Sequence, residues 1–246
     1  MVNGRGKEKM KNIPKSRQFL MTVATFLLLT CVMAEEKTPM TRLGFETDVE
    51  GKNLKYEDGI SGRGVLLSPD SQLKLPVKNN ISLTKGTISI WIKPINWNGT
   101  SKEGYPIVSF SDSSDIGIGG LAKHHNVRSL GISLYLKGEN PGWLGFGSDP
   151  KPLEKWTSNT WHNLVFTFSQ EEFVIYLDAV RVGACTGETA NELWQRLRHA
   201  CSFRLGGAYK GTDFCSVIDE FTIYNVILNE EEISRAFKKM ILAHLN

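Results

Sequence analysis

Acidic pairs, a histidine pair and one glycine run are the places where this 246-residue chain could do chemistry. Glycosidic hydrolysis needs two carboxyl groups on one face, about 5 Å apart for retention and farther for inversion. Glu171 and Glu172 are adjacent, so on a strand they point to opposite faces. Asp219 and Glu220 alternate in the same way, and Asp112 and Asp115 fall in the turn-like string SDSSD. No string therefore presents a catalytic pair. His124 and His125 could share one ion only from a loop, and no second His/Cys cluster supports zinc. Gly117-Ile118-Gly119-Gly120 lacks the lysine and the strand-to-helix setting of a phosphate loop. Binding is better served. Trp97, Tyr105 and Trp143 could act as aromatic platforms for a sugar, with His124, His125, Asn126 and Arg128 as polar partners.

Asp219 belongs to the stretch around which the chain is organised, FRLGGAYKGTDFCSVIDEFTIYNV, from Phe203 to Val226. The stretch reads as two short strands joined by a Gly-rich turn. At period two Asp219, Phe221 and Ile223 share one face, and the apolar pair predicts that this face is buried. A carboxylate there needs a cation or hydrogen-bond donors, because burying it unpaired is very costly.

Three segments carry a family resemblance. GGAYKG with VIDEFTIYNVILNEEEI resembles the closing segment of laminin-G-like, concanavalin-A-like domains. GTISIWIKP (Gly86 to Pro94) and WHNLVFTF with FVIYLDAVRVG (Trp161 to Gly183) resemble two of their central strands. The resemblance runs from Gly44 to Phe237. It implies an all-β fold, an antiparallel β-sandwich of jelly-roll type with a short C-terminal helix. It also implies a structural calcium ion between the first and last strands, with Asp219 and Glu46 at the positions of its acidic ligands. Hydrogen bonds from backbone N–H groups to Asp219 are the alternative to calcium.

The elements that must position these residues follow from periodicity. Ile88, Ile90 and Ile92 alternate with Thr87, Ser89 and Trp91, and Leu164, Phe166 and Phe168 are in phase as core candidates. Asp178-Ala179 sits at a hairpin turn. GETANELWQRLRH, between Cys185 and Cys201, is a helical insertion, with Leu193, Trp194 and Leu197 at helical spacing. Asn229 followed by three glutamates caps a helix from there to Leu245, with Ile233, Phe237, Met240 and Ile241 on its apolar face. The region from Asn96 to Asn140 is the least regular, with strands expected at Ile107 to Phe110 and Leu130 to Leu136.

Residues 1–34 read as a targeting segment. Basic residues from Arg5 to Arg17 precede the apolar run Phe19 to Ala34, and Val32-Met33-Ala34 offers a cleavage site. An uncleaved anchor and a lipoprotein acylated at Cys31 are the alternatives, and they are the routes by which this chain would meet a membrane. All three readings make the 41–243 domain secreted or exposed at the cell surface. The formal charge of +3 owes much to the leader, so nucleic acid is not expected as a partner. A Cys185–Cys201 disulfide would pin the helical insertion at its base. Cys201–Cys215 pairing, or three free thiols, are the other readings. The sequence thus predicts an exported, non-catalytic module that binds a glycan or a cell-surface or matrix protein. A glycoside hydrolase or lyase on the same fold is the alternative, and a subunit of a surface assembly is a third reading.

Overall fold

The computed structural model describes residues 36–124, 129–136, 142–206 and 213–245. Thr38–Asn246 forms one compact unit, and the 1–34 leader lies outside the described residues. Strands are β1 Thr41–Leu43, β2 Lys55–Asp58, β3 Arg63–Leu67, β4 Leu73–Pro76, β5 Gly86–Pro94, β6 Tyr105–Ser111 and β7 Gly117–Lys123. They continue with β8 Leu130–Leu136, β9 Gly142–Gly147, β10 His162–Phe168, β11 Glu172–Leu177, β12 Val180–Thr186, β13 Ser202–Leu205 and β14 Ser216–Tyr224. Helices are α1 Pro150–Glu154, α2 Gly187–Leu197 and α3 Glu230–His244.

Two antiparallel sheets form the sandwich. The larger has the order β12-β11-β10-β5-β14-β3-β2, with β1 beside the second half of β14. The smaller has the order β4-β13-β6-β7-β8-β9. The alternating residues meet between the sheets as predicted. Ile88, Ile90 and Ile92 from β5 and Leu164, Phe166 and Phe168 from β10 join one core with Phe110, Leu121, Ile132, Leu134 and Phe203 from the smaller sheet. Trp91, in the opposite phase, points outward and stacks on Phe237 of α3 with ring centroids 5.5 Å apart. The helix therefore covers the outer face of the larger sheet. Its start is fixed by a capping box, in which Asn229 accepts from the Glu232 N–H and the Glu232 carboxylate accepts from the Asn229 N–H.

Two expectations change. Phe203 to Val226 is not a hairpin: β13 pairs with β4 and β6 in the smaller sheet, whereas β14 lies between β5 and β3 in the larger. The connection between them crosses from one sheet to the other. Nor does Asp219 share a face with Phe221 and Ile223. Asp219 pairs with Trp91, yet Thr222 pairs with Ser89, so β14 carries one residue more than β5 between these pairs. This is a β-bulge, and Glu220 adopts φ 47° within it. The extra residue puts both Ile218 and Phe221 in the core and leaves Asp219 on the outward side with Trp91.

The β11–β12 turn has Asp178 at φ 49° and Ala179 at φ 63°, the two left-handed residues of a type I′ hairpin. Asp178 anchors the turn by accepting from the Asn163 N–H at 2.8 Å, with His162 Nδ1 also at 2.8 Å. Alanine carries a steric penalty in this region that glycine does not. Ala179→Gly is expected to gain about 0.5–1 kcal/mol after the entropy of the unfolded glycine is set against the strain. In a thermal melt this is a rise of roughly 2 °C, and a fall would mean that the Ala179 methyl matters more than its backbone.

Candidate functional site: a groove on the smaller sheet

α3 covers the larger sheet, whereas the outward face of the smaller sheet carries a groove of about 360 Å³. Alternation along each strand decides what faces it. In β13 Phe203 and Leu205 enter the core and Arg204 faces out. In β6 Ile107, Val108 and Phe110 are core residues, while Ser109 and Ser111 face out. β7 contributes Gly117, Gly119 and Gly120, β8 contributes Ser133, and β9 contributes Trp143. Arg204, Ser109, Gly120 and Ser133 are successive cross-strand partners, so they form one row across the floor.

Trp143 is 64% exposed and packs at a tilt of 53° against Tyr135, with centroids 5.4 Å apart. Its ring lies across the sheet over Gly119, where a Cβ would meet it at 2.8 Å. Gly119 also has φ 105°, so both backbone and space require glycine here. At the other side, Lys74 is the cross-strand partner of Arg204 and forms an ion pair with Asp115. The Lys74 hydrogen bond holds the Asp115 carboxyl below its ordinary range, with smaller help from Arg204. Among the described residues, no carboxylate lines the groove. What the arrangement offers is an aromatic face, serine hydroxyls that both donate and accept, and one guanidinium.

The residues expected from sequence fare unequally. Trp143 is in the groove. Trp97 is not a surface platform: it is 1% exposed and stacks between Tyr105 at 4.9 Å and Phe214 at 6.1 Å. Its Nε1 donates to Ser216 Oγ at 2.9 Å, and Tyr105 is buried beside it. The loop after β5 folds inward, so its tryptophan closes one end of the core. His124 covers the outward side of Gly131, where a Cβ would meet its ring at 2.8 Å. It thus shares the sheet face with Trp143 but does not line the groove. His125, Asn126 and Arg128 lie outside the described residues. Arg204 and the serines were missed. The alternation in SFRL marks Arg204 as outward, but it does not say which strands flank it.

Asp219 and Glu46 are brought to one place, the β2–β3 turn. Asp219 is fully buried and accepts from the N–H groups of Ser61 at 3.0 Å and Glu220 at 2.7 Å, with Ile60 as a further donor. A Cβ on Gly59 would run into its carboxylate. Glu46 is exposed, lies against Gly62 and accepts from the Arg63 N–H at 3.4 Å. The end of α3 closes the turn, as His244 Nδ1 donates to the Ile60 carbonyl at 2.9 Å. Calcium takes six to eight oxygens. Here the groups aimed at Asp219 are N–H donors, and Glu46 is turned to the Arg63 N–H. The residues as placed fit a hydrogen-bonded carboxyl rather than a calcium cage. Burial pushes Asp219 up to about 7, against the pull of the N–H bonds and with some repulsion from Glu220.

The expected Cys185–Cys201 disulfide is not formed: Cys185, Cys201 and Cys215 are free thiols. Cys185 is in β12 at the edge of the larger sheet. Cys201 hydrogen-bonds through its backbone to Ser111 and Val77, beside the smaller sheet. Burial raises the Cys185 thiol to about 11.

Comparison with known proteins adds the family. The Laminin_G_3 family, described as "Concanavalin A-like lectin/glucanases superfamily", matches residues 67–234. The chain belongs to this superfamily. No curated protein matches the sequence. Among solved structures, the superfamily fold here is similar to the binding domain of Paraclostridial Mosquitocidal Protein 1 (TM-score 0.57, 18% identity, 80% of this chain and 48% of that one). It is similar to the botulinum neurotoxin serotype D binding domain (0.61, 16%, 83% and 51%). It is also similar to the binding domain of botulinum neurotoxin DC, solved in complex with rat synaptotagmin II (0.58, 15%, 80% and 48%). The chain spans about half the length of these structures, and at such identities the likeness is one of fold.

Proposed function

We propose that this chain is an exported, non-catalytic binding module whose groove on the smaller sheet takes a carbohydrate. The observation that carries the reading is Trp143, a largely exposed aromatic ring laid over Gly119 in a groove floored by hydroxyls. An exposed tryptophan leaves a large apolar face open to a ligand, and a sugar ring supplies a matching apolar face with hydroxyls at its edge. Export rests on the leader sequence at residues 1–34. The hydrolase alternative needs paired carboxyl groups at the cleft, and none lines this groove among the described residues. Calcium enters no step of the proposal.

The test is a glycan array probed with the full chain and with Trp143→Ala. Saturable binding to one glycan class, reduced about tenfold or more in the variant, is expected from loss of a central aromatic contact. Binding that survives the substitution would remove the groove from the proposal. A protein ligand is the second reading, favoured by the neurotoxin binding domain solved with synaptotagmin II. It predicts no glycan binding and capture of a defined receptor ectodomain instead.

A further inference from the structure

From the electrostatics of the groove we infer that its ligand is anionic: a glycan bearing a carboxylate or sulfate ester that Arg204 receives. The inference rests on the groove being the binding site. Arg204 projects outward because its neighbours Phe203 and Leu205 are both in the core. Its Nε is buried and has no hydrogen-bond partner. A buried N–H without a partner is costly, and a charged one more so. The one acid whose charge reaches Arg204 is otherwise placed. Asp115 is engaged by Lys74, and no other carboxylate reaches the groove lining among the described residues. Arg204 therefore sets a guanidinium with one unpartnered N–H in the lining of a groove.

A guanidinium matches a planar carboxylate or a sulfate through paired N–H donors, which a neutral hydroxyl cannot reproduce. The position relative to Trp143 fits the same ligand. The Trp143 ring lies over Gly119 on β7, and Arg204 is on β13, two strands away across β6. Two strand spacings are about 10 Å. A disaccharide unit can span that distance, with one ring on the tryptophan and an acidic substituent at the arginine. Ser109 and Ser111 lie between them to meet hydroxyls.

The experiment measures binding of the full chain to three sets of oligosaccharides: uronate-bearing, sulfate-bearing and neutral. The proteins are wild type, Arg204→Gln, Arg204→Lys and Trp143→Ala, each checked by thermal melting. Wild type is expected to bind one anionic set at least about tenfold more tightly than the neutral set, and less tightly as salt rises. The preferred set identifies the anion. Arg204→Gln is expected to bring that set down to the neutral level, and Arg204→Lys to keep part of the difference. Equal binding of neutral and anionic sets, or a preference retained in Arg204→Gln, overturns the inference. If Trp143→Ala still loses binding in that case, the groove reading stands without it. No binding to any set, or binding that neither residue affects, overturns both.

Discussion

Trp97→Ala is expected to cost about 3–5 kcal/mol of stability, and Trp143→Ala less than about 0.5 kcal/mol. The two residues are of one type and come from the same stretch of loops and short strands, but one is 1% exposed and the other 64%. Trp97 is the centre of an aromatic plug. Tyr105, Phe214 and Trp156 surround it, with Trp156 at 5.7 Å, and Ser216 receives its indole N–H. Truncation removes the largest kind of side chain from a position where β5, β6 and β14 hold the walls apart, so a cavity is left. It also strips the Ser216 hydroxyl of a donor. In a domain of this size the loss is about 10 °C in melting temperature. Urea denaturation of both variants checks the contrast. Comparable losses at the two positions would mean that Trp143 is part of the packing, and the groove reading would lose its main support.

That contrast marks where the sequence was legible. Ile88, Ile90 and Ile92 lie in a long alternating run with β-branched residues, and the run could only be a strand with one face in the core. The cap at Asn229 is equally local, since box and helix are made by residues three apart. The same holds for the helical insertion, where Leu193 and Leu197 are buried as their spacing implies. Trp97 and Trp143 are different. Each is a lone aromatic beside turn residues, and period says nothing about whether a loop folds over the core or away from it. β7 was overlooked because GIGGLAK has little β propensity; Gly119 and Gly120 allow the close approach of β8 and β6. Arg204 was invisible for a third reason. Alternation assigns it a face, but the groove exists only because β13 inserts between β4 and β6, a long-range pairing with no local signal.

Asp219 combines these cases. Sequence flagged a carboxylate that needed a partner, and it erred on the face because a bulge shifts phase by one residue without changing composition. What the structure supplies is a set of N–H groups from the β2–β3 turn and the bulge itself. These bonds do not fully offset burial, and the carboxyl is pushed up to about 7 from an unfolded value near 4. The folded state then binds the proton more tightly than the unfolded chain. Between about pH 4 and pH 7 it holds more protons, so stability falls as pH rises through this window and is flat on either side. The proximity of the exposed Ser61–Gly62 turn screens the charge, which leaves an effect of about 2 kcal/mol. Asp219→Asn cannot titrate. The expected result is therefore a stability difference, wild type minus variant, that declines by about this amount from pH 4 to pH 7 in urea denaturation. A difference that is constant or rises with pH would mean that the N–H bonds hold the charged form after all. The same pair of proteins tests calcium. A cation bound to the carboxylate would raise the stability of wild type at pH 8 and flatten its pH dependence, and would do neither in Asp219→Asn. Because the groups aimed at Asp219 are N–H donors, calcium is expected to leave both proteins unchanged.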